Sequence, residues 1–229
     1  MNRFRDRLEA GRRLAVVLAA YAPEHPLVLG LPRGGVAVAA EVARALQAPL
    51  DVWVVRKIGV PWQPELGVGA VSEGGLVYVD RATLRRIGLT EADLAPVIAR
   101  QRAEVEERVA RFRRGRPRPD LRGRTVILVD DGVATGGTVR SAIRAVRAEA
   151  PKRIVLAVPV AAAQTVDELA DEADRVVCLL RPDDLFAVGA WYQEFEQVED
   201  AEVVRLLDLS RAVAAPSPAA RPTEALAGR

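Results

Sequence analysis

The sequence predicts an α/β protein, a Rossmann-like parallel sheet flanked by helices. Two observations carry this. Apolar runs without polar alternation, such as Val126-Ile127-Leu128-Val129, recur along the chain, as strands covered on both faces require. Between them lie stretches with helical spacing, so strands and helices alternate from residue 4 to about residue 180.

In order, the pattern gives a helix over 4–20, charged at Arg5, Arg7, Glu9, Arg12 and Arg13, then a strand over 27–31. Pro32-Arg33-Gly34-Gly35 turns the chain into a helix over 35–47, with Val36, Ala40, Ala43 and Leu46 on one face. A strand over 51–56 follows. Residues 60–69 hold too much Pro and Gly for a helix, and Glu73-Gly74-Gly75 turns a hairpin of 68–72 with 76–79. A long helix lies within 90–114. Then come strand 125–130, helix 137–149, strand 153–160, helix 164–172 and strand 175–180. Residues 1–211 read as one domain, with an arginine-rich insert at 81–124 and a C-terminal segment at 181–211. The Ala-, Pro- and Ser-rich residues 212–229 read as a disordered tail.

Composition narrows the class. At 229 residues the chain can bury one sizeable core. No apolar run approaches the ~18 residues that would span a bilayer, and the arginines near the N-terminus do not fit a secretory leader, so a cytoplasmic protein is expected. Cys178 is the one cysteine and His25 the one histidine, which leaves no internal disulfide and no Cys-His nucleophile or zinc site. Cys178 reads as a buried strand thiol.

The densest chemistry lies at residues 126–138. Behind the apolar strand stand Asp130 and Asp131, then Gly132, Val133, Ala134, Thr135, Gly136, Gly137 and Thr138, then a helix. Backbone N–H groups of such a loop and the positive end of the helix dipole suit a phosphate. Carboxylates at the strand's end can accept hydrogen bonds from vicinal hydroxyls, so a ribose 5-phosphate satisfies both halves. The Pro32-Arg33-Gly34-Gly35 turn is a second anion loop, in which Arg33 can fork onto phosphate oxygens. Arg56 and Lys57 end the next strand, and Lys57 is one of only two lysines beside many arginines.

The 126–138 run resembles the phosphoribosyl-diphosphate (PRPP) motif of the type I phosphoribosyltransferases: apolar strand, two acids, three variable residues, Thr-Gly-Gly-Thr. The resemblance implies that Asp130 and Asp131 hold the ribose hydroxyls and that residues 132–138 wrap the 5-phosphate. It implies that Arg33, Gly34 and Gly35 take the diphosphate, with a cis peptide expected at Arg33–Gly34. Residues 60–69 take the place of the family's mobile catalytic loop, with Trp62 either part of that closure or a structural plug. Arg33, Lys57, Asp130 and Asp131 are the expected catalytic residues, and Arg56 joins the PRPP site. Mg2+ is expected on diphosphate and ribose oxygens, with Asp130 and Asp131 in indirect support.

In nucleobase enzymes of the family the segment after the last strand forms a hood over the base. Here 181–211 takes that place, and Phe186, Trp191 and Tyr192 are its candidate acceptor contacts; pinning of this segment against the N-terminal helix is the other reading of the same aromatics. Many 6-oxopurine enzymes carry Asp where this chain has Ala134, which disfavours that acceptor route. From about residue 3 to 210 the chain is most similar to the uncharacterised bacterial members of the family, and since dimers are common in the family as a whole the resemblance allows a homodimer. The implied activity is transfer of ribose 5-phosphate to a nitrogenous acceptor, a nucleobase first, with release of diphosphate. The alternative is a PRPP-sensing regulatory or nucleic-acid-binding protein using the insert, whose formal charge is +7 against −5 for the rest of the chain. Alternating signs along the insert's helix equally describe a solvated face or subunit contact, or a field that steers substrate.

Overall fold

The computed structural model describes residues 3–60 and 62–214. From the N-terminus its main elements are α1 (Arg7–Leu18), β1 (Leu27–Gly30), α2 (Gly34–Leu46), β2 (Leu50–Val52), β3 (Val55–Val60), β4 (Gln63–Ser72) and β5 (Val77–Val79). Then come α3 (Arg81–Arg86), α4 (Ala95–Arg113), β6 (Thr125–Val129), α5 (Gly137–Ala148), β7 (Arg153–Val160), α6 (Ala163–Ala170), β8 (Arg175–Leu180) and α7 (Asp200–Ala214).

Five strands form a parallel sheet in the order β2-β1-β6-β7-β8, and β3-β4-β5 form a smaller antiparallel sheet. Alternate side chains of the parallel strands enter two separate cores. Val28, Ile127, Val129 and Val155 pack with α1 and α2, whereas Leu27, Leu29, Leu128 and Leu156 pack with α5 and α6. Both faces are therefore covered, which is why these strands read as continuous apolar runs.

Several expectations need correction. The first helix begins at Arg7, where the Asp6 side chain accepts from the Glu9 N–H at 2.7 Å and caps it. It gives way at Ala19 to a 3-10 turn containing Pro23. The strand expected over 51–56 is two strands in two sheets. The chain leaves the parallel sheet after Val52, and Trp53 and Val54 are so fully buried at the crossing that no polar residue marks it. Residues 60–69 are largely strand, not loop: β3 and β4 pair with irregular register at Gly59 and Val60. Helix α7 is an addition to the expected elements, with Val203, Val204 and Leu207 burying one face of it. It runs through residues 212–214, and the remainder of the expected disordered tail lies outside the described residues.

The insert is tied to the sheet by one buried arginine. The Arg113 side chain, 2% exposed, donates to both carboxylate oxygens of Glu73 (2.5 and 2.9 Å), to Asp51 (3.1 Å) and to the Val52 carbonyl (3.0 Å). Burial pushes Glu73 up to about 7 even so, against the pull of Arg113. Arg113 and Glu73 line a cavity of about 310 Å3 between α4 and the β4–β5 turn, away from both glycine loops.

Candidate active site

β1 and β6 are neighbours, so the loops at their carboxyl ends lie side by side, where open parallel sheets place their ligands. The first loop rests on the second. A Cβ added to Gly34 would stand 1.8 Å from Asp131 Oδ2, and one on Gly35 would stand 2.7 Å from the Val129 carbonyl oxygen. Only glycine admits that approach. The cis peptide bond lies at Pro32–Arg33, one residue before the expected Arg33–Gly34 position, because Gly34 already opens α2 with Arg33 as its N-cap.

Asp130 and Asp131 stand together at the end of β6. Asp130 Oδ1 accepts from the Asp131 N–H at 2.9 Å. Burial first, and then the adjacent Asp131 carboxylate, push Asp130 well above the ordinary carboxyl range. Asp131 Oδ2 accepts from Arg7 Nε at 2.8 Å, with both side chains mostly buried. Arg7 also donates to the Glu196 carbonyl at 2.7 Å and stacks 3.8 Å from the centroid of the Phe195 ring.

Residues 132–136 are anchored on the β7–α6 side. The Val133 N–H donates to Val160 O at 2.9 Å, and Thr165 Oγ1 donates to Ala134 O at 2.7 Å. A Cβ on Gly132 would meet Val188 at 2.4 Å. Gly136, at φ 75°, is the N-cap of α5, and no side chain caps that helix. Nothing lies within 4 Å of where a Gly137 Cβ would be, and Thr135 and Thr138 are exposed on either side. The start of α5 thus offers free backbone donors, the positive end of a dipole and open space together.

The cations are arranged less simply than the sequence suggests. Arg33 turns toward the C-terminal segment, where Nη1 lies 3.9 Å from Glu199 and 3.8 Å from Asp200 and the guanidinium donates to the Gln197 amide oxygen. Arg56 pairs with Glu104 and reaches Gln101 at 3.3 Å, both on α4. Lys57 follows Arg56 on β3 and so projects to the opposite face, its aliphatic stem against Gly67 of the facing strand. Trp62 is 64% exposed at the hairpin tip and plugs nothing.

Of the hood candidates, Tyr192 is 3% exposed, with Phe4 and Phe195 rings 5.5 and 4.9 Å away and its hydroxyl donating to Asp131 O at 2.6 Å. It holds the hood to the acid loop and shows no free face to a base. Trp191 is half-buried against the same cluster, and Phe186 is 96% exposed two residues before Val188. Arg7 is the residue the sequence conceals, since its partner lies 124 positions away. No group of three or more His, Cys, Asp or Glu that could hold a metal occurs among the described residues, and no described helix is long and apolar enough to cross a membrane.

Residues 5–194 match the phosphoribosyl transferase domain, and the chain belongs to that family. Two curated Mycobacterium tuberculosis proteins, provisionally named phosphoribosyl transferases, are each 49% identical over 208 residues, which is 91% of this chain and 47% of theirs. The chain therefore spans about half the length of these relatives. The crystal structure of TT1426 from Thermus thermophilus is similar at 48% identity and a TM-score of 0.82, covering 90% of this chain and 97% of that one.

Proposed function

We propose that the protein transfers the ribose 5-phosphate of PRPP to a nitrogenous acceptor and releases diphosphate. The observation that carries the reading is the contact of the two loops, with the Asp130–Asp131 pair between the open start of α5 and the Arg33 turn. A donor laid across them puts its 5-phosphate on residues 132–138, its ribose on the two acids and its diphosphate on Arg33, Gly34 and Gly35.

Cleavage at C1 builds positive charge on the sugar and negative charge on the leaving diphosphate. Arg33 and Arg56 offset the second, and closure of the β3–β4 hairpin adds Lys57 and excludes water. Asp131, aimed by Arg7, accepts from a ribose hydroxyl. Asp130, next to it at the end of β6, accepts from the other. Two adjacent carboxylates fit Mg2+, which favours one or two such ligands plus substrate oxygens; bound there, it would neutralise diphosphate charge. Phe186 is the hood aromatic with a free face for a planar acceptor. The insert does not favour a nucleic-acid surface, because Arg111, Arg113, Arg114, Arg116 and Arg118 all pair with acids of this chain.

The test is calorimetric titration with PRPP and Mg2+, then assay of diphosphate release against a panel of nucleobases and amines. Tight binding and release with one acceptor are expected, and Asp131→Asn should lower both. Full affinity and turnover in that variant would remove the ribose assignment. Binding without release from any acceptor would favour a PRPP sensor.

A further inference from the structure

Arg108 stands apart among the arginines of α4. Four residues before it, Glu104 is taken by Arg56; three residues after it, Arg111 pairs with Asp200, which also lies 3.8 Å from Arg33. Residues spaced by three and four share one face of a helix, so Arg108 sits between the anchor of Arg56 and the acid that receives Arg33. The two acids whose charge it feels, Asp200 and Glu104, are thus engaged by other arginines. Among the described residues Arg108 makes no hydrogen bond or ion pair, although it is half-buried. Burial and the nearby charges of Arg56 and Arg33 draw it below the usual guanidinium range.

A partly desolvated cation held beside two others, with its acids already committed, is a costly arrangement that an anion would relieve. We propose that Arg108 is a third cation of the diphosphate subsite, binding the diphosphate of the donor together with Arg33 and Arg56. This rests on the transferase reading and adds to it a residue from the insert. Diphosphate is named over the 5-phosphate because Arg33 and Arg56 are the neighbours of Arg108, whereas the α5 loop is bounded by Val160, Thr165 and Val188. Three guanidinium groups, from the N-cap of α2, from β3 and from α4, match a group with several charged oxygens better than a single phosphate. The insert's basic charge then has a local purpose, the delivery of one guanidinium to the leaving group.

The proposal is tested by calorimetric titration of wild type, Arg108→Gln, Arg108→Lys and the control Arg100→Gln with inorganic diphosphate, with PRPP and with ribose 5-phosphate, Mg2+ present throughout. Loss of one charge-assisted contact should weaken diphosphate and PRPP about tenfold to a hundredfold in Arg108→Gln. Arg108→Lys should fall between, while ribose 5-phosphate binding and the thermal midpoint stay at wild-type values. Arg100→Gln, at an exposed position, should match wild type. Wild-type diphosphate affinity in a folded Arg108→Gln protein overturns the assignment and leaves the transferase reading standing. Equal weakening of ribose 5-phosphate also overturns it. No binding of PRPP or diphosphate by wild type would bring down the transferase reading itself.

Discussion

Arg108 and Arg113 lie five positions apart on one helix, yet their surroundings are opposite. Arg113 is enclosed, and its donors meet Glu73, Asp51 and the Val52 carbonyl. Arg108 is half-buried and makes no hydrogen bond or ion pair among the described residues, and Arg33 and Arg56 are its neighbours. A guanidinium whose acceptors are supplied by the fold holds two elements together. One whose acceptors are withheld is placed for something the fold does not contain. Burial alone would not have told them apart; the partners do.

The comparison can be broken most forcibly at Arg113. Arg113→Ala should cost about 3–5 kcal/mol, since it leaves a buried carboxylate unpaired. It should leave diphosphate affinity of the folded fraction unchanged. Because burial raises Glu73 above its ordinary 4.5, its contribution to stability is full below that value and lost as pH rises through about 7. Arg113 opposes that loss, so the variant's deficit should be larger at pH 8 than at pH 5, measured by urea unfolding. An equal deficit at both pH values would mean Glu73 does not titrate there.

A smaller effect is expected at the loop contact. In Gly34→Ala the new methyl displaces the Asp131 carboxylate, costing about 1–3 kcal/mol of stability by overpacking. Displacing a positioning group by about 1 Å should lower kcat/KM for PRPP about a hundredfold. Steady-state kinetics beside a melting curve would separate the two. The smallest effect sharpens the role of Arg7: Arg7→Gln should raise the KM for PRPP about tenfold, through a misaimed Asp131, with little change in kcat. A fall in kcat with KM intact would make Arg7 part of the chemistry instead of its support.

The parallel sheet is legible in the sequence because β1, β2, β6 and β7 are buried on both faces, and 153–160 and 175–180 match residue for residue. The 126–138 run is legible because a buried strand, its loop and the start of the next helix use consecutive residues. What escapes the sequence depends on the third dimension. Trp53 and Val54 cross between sheets under full cover, so no turn residue betrays the break. Arg113 sits inside a run of arginines with nothing local to set it apart. The grip of Arg7 on Asp131 joins residues that no spacing rule connects. By contrast α7 is readable from Val203, Val204 and Leu207, and is hidden only when 181–211 is taken as a single acceptor segment.

The pairing of Phe4 with Tyr192 bears on how the molecule comes into being. Phe4 N–H donates to Trp191 O and Gln193 N–H donates back to Phe4 O, while Arg7 reaches Glu196, 189 positions away. During synthesis the sheet can start to assemble from the chain already released, since domains form from the N-terminal side first. The clasp over Asp131 has to wait for residues 191–196 to leave the ribosome. A nascent chain would carry both glycine loops before Tyr192 could reach the Asp131 carbonyl and Glu196 could hold Arg7.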